Sequence, residues 1–94
     1  MKELDRQLFI SIHKNDLKEF KSLVERGANI HVKNRWKSSP IHATAAYQKP
    51  EILLYLIQQG AEINARNKYN RTPLSLTTPE SRCGKILIEH GATI

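Results

Sequence analysis

The chain is in register with itself at a spacing of 33 residues. Leu23, Gly27, Ala28 and Ile30 fall on Leu56, Gly60, Ala61 and Ile63, while Asn34, Trp36, Ser39, Pro40 and Ile41 fall on Asn67, Tyr69, Thr72, Pro73 and Leu74. A third ending, "LIEHGATI", sets Leu87, Gly91, Ala92 and Ile94 on Leu56, Gly60, Ala61 and Ile63 at a spacing of 31. A repeat of this length is one supersecondary unit that cannot bury its apolar face alone, so the copies must stack. The spacing predicts a single domain over 1–94 with units at about 1–33, 34–66 and 67–94, the last shortened by two residues. With 39% hydrophobic and 6% aromatic residues, the apolar side chains must be placed economically, and three units is about the minimum for a stable stack.

Each unit reads as a helix pair. Pro40 and Pro73 suit a first helical position, each preceded by a capping hydroxyl at Ser39 or Thr72. A short helix of small and aliphatic residues such as "PIHATAA" follows, then a second helix, "PEILLYLIQQG", which starts at Pro50 and stops at Gly60. The polar, Asn-rich "AEINARNKYNR" that joins one unit to the next suits an extended hairpin projecting from the stack. In the third unit Pro79 is expected to end the first helix early.

These residues resemble the ankyrin repeat. "SSPIHATAA" and "RTPLSL" match its Thr-Pro-Leu-His element, and "NDLKEFKSLVERGANIHVKN" and "EILLYLIQQGAEINARN" match its second helix and turn, over roughly Leu4 to Ile94. The resemblance implies an all-α solenoid of stacked helix-turn-helix units with projecting β-hairpin loops. It implies a structural, hydrogen-bonding role for His42 in the turn between units. Unit one departs from the pattern, with Arg6-Gln7 in place of Thr-Pro, as expected of an N-terminal cap, and unit three is expected to act as its own cap.

Charge is segregated along the chain. From Arg26 to Pro50 and from Ile63 to Pro79 there are eight Lys/Arg and no Asp or Glu, whereas the remainder has seven basic and nine acidic residues. The net charge of +6 therefore belongs to the hairpins, and it favours acidic partners. Proteins of the family that this chain resembles usually bind through the hairpin tips and the exposed face of each first helix. Transferred to this sequence, those positions are Lys33, Arg35, Trp36 and Ser38 on one finger, Arg66, Lys68, Tyr69 and Arg71 on the next, and His13, Lys14, Ala46 and Tyr47 on the helices. Large aromatics among Arg-type donors have the composition of binding hot spots. A solvated charge run is the alternative for any single Lys or Arg, and Tyr69 has the further alternative of packing on its neighbouring finger.

Other chemistry finds no foothold in the sequence. No His pair has metal-ligand spacing, and the single cysteine, Cys83, excludes an internal disulfide or a Cys-based zinc site. Cys83 lies at the start of the last helix, where a thiol pKa can fall, yet packing is the more ordinary role. "NRT" at Asn70 matches a glycosylation acceptor, but no secretion signal precedes it. There is no Gly-rich phosphate loop, paired carboxylates or Ser/His/Asp grouping, so no enzymatic function and no cofactor is expected.

The expected function is that of a protein-binding module, an adaptor or stoichiometric inhibitor that meets an acidic surface, acting in the cytoplasm and without membrane attachment. Small stand-alone proteins of this kind resemble bacterial and viral effectors or immunity proteins. The alternative is nucleic-acid binding, with Lys/Arg on phosphates and Trp36 and Tyr69 stacking on unpaired bases. A monomer is expected, with weak self-association through Cys83, Ile86 and Ile94 on the terminal unit as a further expectation.

Overall fold

The computed structural model describes residues 1–93, so Ile94 and the part it was expected to play in self-association lie outside them. Two helix pairs come first: α1 (Glu3–His13) with α2 (Leu17–Glu25), then α3 (Pro40–Ala46) with α4 (Pro50–Gln58). The last unit has one full helix, α5 (Arg82–Glu89), preceded by a single 3-10 turn at Leu74–Leu76. First helices stack on first helices and second on second, α1 against α3 and α2 against α4 against α5. Among the described residues there is no strand, and the fingers between units are built from turns.

The helices begin where local chemistry supplies a partner for the free N–H groups. The Asp16 carboxylate accepts from the Glu19 N–H at 3.0 Å and the Ser81 hydroxyl from the Gly84 N–H at 2.9 Å. Pro40 and Pro50 open α3 and α4 without needing a donor there. Gly27, Gly60 and Gly91 close the second helices at φ of 103°, 89° and 92°, backbone that a Cβ disfavours.

The core is one continuous cluster running the length of the stack. Leu8, Ile12, Phe20 and Leu23 from unit one meet Ile41, Ile52, Leu53 and Leu56 from unit two, and these meet Leu74, Cys83 and Leu87 from unit three. The second helices carry most of this apolar face, with Leu23, Leu56 and Leu87 at matching register, all essentially inaccessible to solvent.

The first helix of unit three is shorter than the expected early stop at Pro79 implied. Pro79 drives Thr78 out of helical backbone, and Thr77 is already extended at φ −139°, ψ −175°. The chain is then clamped from the other side, because a Cβ on Gly84 would overlap the Thr78 carbonyl. Thr77 Oγ1 in turn meets the Ser81 hydroxyl at 2.7 Å and the Gln48 side-chain amide of unit two.

Candidate functional site

Each finger is organised by one asparagine. Asn34 Oδ1 accepts from the N–H groups of Trp36 at 2.9 Å and Ser38 at 3.1 Å, and Asn67 Oδ1 repeats this with Tyr69 and Arg71 at 2.9 and 3.1 Å. This self-contained turn needs a left-handed residue three places on, met by Lys37 at φ 58° and Asn70 at φ 61°. The two fingers are joined directly. The Lys68 N–H donates to the Trp36 carbonyl at 2.8 Å, and Asn67 Nδ2 donates to the Ser38 hydroxyl at 3.1 Å.

His42 ties the second unit to the second finger from inside. Its Nδ1 accepts the Ser39 N–H at 3.2 Å, which fixes the proton on Nε2, and Nε2–H donates to the Arg71 carbonyl at 2.9 Å. The Ser39 hydroxyl also lies 3.1 Å from Nδ1, and Ser39 and His42 together form a reciprocal capping box at the start of α3. Burial pushes the His42 pKa down, against the opposing pull of the Arg71 and Ala65 carbonyls. Thr72 caps its turn, accepting from the Ser75 N–H at 3.3 Å.

With the fingers so held, their tips and the first helices enclose a concave groove of about 570 Å³. Its walls are the exposed rings of Trp36, Tyr47 and Tyr69, and its floor is apolar, from Phe9, Ala43, Ala46 and Leu76. Arg6 and Arg35 supply charge, and no acidic residue lines it. The rings are buttressed. The Arg35 guanidinium lies over Trp36 at 5.2 Å from its centre, the Lys68 ammonium over Tyr69 at 5.6 Å, and His13 against Tyr47 at 4.4 Å between ring centres.

Of the residues singled out from the sequence, the groove brings together Arg35, Trp36, Ser38, Tyr47 and Tyr69, with His13 and Ala46 beside them. Tyr69 is 59% exposed and therefore does not pack away on its neighbour. Lys68 reaches the groove only at its rim, through the Tyr69 ring. The others stand elsewhere. Arg66 folds back onto Asn70, with its guanidinium 3.1 Å from that residue's carbonyl, and Lys33 lines a small hollow with Ile30 and Glu62. The exposed Lys14 and Arg71 side chains do not line the groove; Arg71 contributes its backbone, to His42 and Asn67.

Sequence reasoning missed Arg6 and Phe9. Both sit in the atypical first unit, where the register with its neighbours is hardest to see. The signal was the succession Arg6, Phe9, His13 at gaps of three and then four residues, which places them on one helical face. Arg6 is itself oriented by Glu3, whose carboxylate accepts from its guanidinium at 2.8 Å and from Gln7 at 2.7 Å and so sits below the usual carboxylate pKa.

A family model for ankyrin repeats in three copies matches residues 8–94. The chain belongs to the ankyrin repeat family. Ankyrin repeats are generally non-catalytic protein–protein interaction modules. A search of curated proteins gives no match to the chain. Among the described residues no helix is long and apolar enough to cross a membrane, and no group of His, Cys, Asp and Glu has metal-binding geometry.

In the terminal unit Cys83 takes the packing role that is its more ordinary expectation, not the exposed place given it in self-association. Cys83 is wholly buried, with its thiol 3.7 Å from the Thr44 carbonyl, and burial pushes its pKa up. It is a packing residue and adds nothing to an exposed end; Ile86 is partly buried against the core, and among the described residues of α5 it is Ile88, 48% exposed, that stands in water.

Proposed function

We propose that this ankyrin repeat chain is a stoichiometric protein-binding module whose concave groove seats an acidic segment of a partner, making it an adaptor or an inhibitor by occupancy. The observation that carries the reading is the convergence of three exposed aromatic rings on one groove that has arginines and no carboxylate in its lining. Roughly half of each ring is still in water. Covering about 100 Å² on each of the three at about 25 cal/mol per Å² gives on the order of 7 kcal/mol, near the low end of the 4–15 kcal/mol cost of association. The aromatics alone therefore make a weak complex, and the apolar floor together with Arg35 supplies the surplus, Arg6 being paired with Glu3. The exposed Lys33, Lys37 and Arg71 outside the groove raise the encounter rate with an acidic partner. The reduced, buried Cys83 supports a reducing compartment such as the cytoplasm.

The test is site-specific photo-crosslinking in cells of origin. A photoreactive residue at Ala46, in the groove, is expected to capture an acidic protein, while one at Leu54, on the opposite helix layer, captures nothing specific. Capture through Leu54 alone would move the site to the other face, and adducts of nucleic acid through Ala46 would replace the protein reading with nucleic-acid binding.

A further inference from the structure

Three residues share one register along the first helices: Ile10 in α1, Ala43 in α3 and Leu76 in the 3-10 turn, each 33 residues from the next. Because α3 packs against α1 on one side and against that turn on the other, the row is continuous, and its middle member is the short one. The large aliphatic chains at its two ends give way to a single methyl in the centre. Ala43 and Leu76 line the groove, and on the α1 side Phe9 and His13 line it. The apolar floor is therefore lowest at Ala43, with larger side chains on both flanks and the rings of Trp36 and Tyr69 on the finger side.

Close packing inside the stack does not account for this alanine. The small residue of α3 that is wholly buried is Ala45, whereas Ala43 is only partly buried and opens on the groove. Charge marks the same place. Among the described residues Arg6 is paired with Glu3 and Arg35 has no carboxylate partner, so Arg35, held over Trp36, is the unneutralised guanidinium of the groove.

Resting on the reading of this groove as a protein-docking site, we infer that the acidic segment of the partner inserts one aromatic side chain over Ala43, with carboxylates flanking it in sequence. A depression with a methyl at its base is filled by an apolar side chain and by nothing polar, since a buried polar group without a partner is costly. A Lys or Arg anchor would also find no carboxylate in the lining. An aliphatic side chain covers the methyl, but an aromatic one gains further from edge and offset contacts with Phe9, Trp36 and Tyr69. The flanking carboxylates answer Arg35, and no acid in the groove repels them. One ring in a water-excluded depression within a charged surround is the arrangement in which interfaces concentrate their binding energy.

The test uses three labelled synthetic peptides of one length, read by anisotropy and by the emission of Trp36, the sole tryptophan. The first has a single Phe with Asp and Glu on both sides, the second has Ala in place of the Phe, and the third keeps the Phe but replaces each acid with its amide. The first is expected to bind about tenfold or more tighter than the second, as for truncation of an interface anchor, and about fivefold or more tighter than the third. Ala43→Leu gives unit two the side chain that unit three has at this register. With circular dichroism showing the fold intact, it is expected to remove the advantage of the first peptide over the second and to leave the second unchanged. Equal binding of the first two peptides to the wild type overturns the anchor, whether or not the variant folds. An advantage undiminished by Ala43→Leu also overturns it, and equal binding of the first and third overturns the flanking carboxylates. If no peptide binds while a photoreactive residue at the exposed Ala46 still captures an acidic protein, this inference fails and the docking groove stands; if both fail, both readings fall.

Discussion

His42 is hydrogen-bonded at both ring nitrogens, through Nδ1 to Ser39 of its own unit and through Nε2 to Arg71 of the third, so His42→Ala tests the coupling of the stack. The substitution removes two bonds worth about 1 kcal/mol each, and the buried Ser39 N–H loses its partner, while the Arg71 carbonyl keeps the Asn67 N–H. Adding about 1 kcal/mol for the cavity left at a side chain that is only 1% exposed, the expected loss is about 3 kcal/mol. At 0.05–0.15 kcal/mol per residue the whole chain has about 5–14 kcal/mol, so about a fifth or more of its stability rests on one imidazole. Urea denaturation followed by circular dichroism is expected to show this loss. Because repeat stability is a sum of units and interfaces, α5 should also lose amide-exchange protection before α1 does. A loss below about 1 kcal/mol, or uniform loss of protection, would refute the coupling role.

The same histidine gives a pH dependence of known sign. Burial holds its folded pKa below the ordinary 6.5, so as pH falls the unfolded chain takes up this proton first. Stability from His42 is complete above about pH 6.5 and falls with acidification between that value and the lower folded pKa, at no more than about 1.4 kcal/mol per pH unit. Protonation would also place an N–H on Nδ1 against the Ser39 N–H. The slope difference between wild type and His42→Gln across pH 5–7 isolates the effect from the other histidines, and no difference would refute it.

Two further substitutions test the scaffold. Gly84→Ala puts a Cβ into the Thr78 carbonyl and close to Pro79 Cα, backbone that cannot swing aside, so thermal unfolding should show a loss of about 2–3 kcal/mol, and a change below 0.5 kcal/mol would mean that the 3-10 turn gives way freely. Lys37→Gly relieves a left-handed backbone at φ 58° that Asn70 tolerates in the next finger, and it should raise stability by about 0.5–1 kcal/mol in urea denaturation.

The stack was legible because its signals are local and repeated. Pro40, Pro50, Gly27 and Gly60 each impose a backbone state that the chain adopts wherever they stand, and the 33-residue spacing multiplies each observation. What was not legible depends on three-dimensional closure. Nothing in "TTPESRCGK" declares that Gly84 must accept the Thr78 carbonyl at close range, which reduces the first helix of unit three to Leu74–Leu76. Charge showed the same limit. Arg66 and Arg35 are equivalent in composition, yet one guanidinium is spent on Asn70 of its own finger and the other lies over Trp36 in the groove.

Within a single finger the chain separates holding from presenting. Asn34 and Asn67 are identical in the two copies because only an amide side chain at that position both accepts two backbone N–H groups and, from Asn67, donates to the preceding finger. Ser39-Pro40 and Thr72-Pro73 vary only within the chemistry that opens the following turn. The positions between them keep class but not identity: Arg35 becomes Lys68 and Trp36 becomes Tyr69, and each pair retains its cation over its ring. The turn itself needs no cation stacked on an exposed aromatic, so the repetition of that pair supports the proposed role of these residues in contact with a partner. On the proposed reading the presented residues meet the partner, and the repeated asparagines hold them in register.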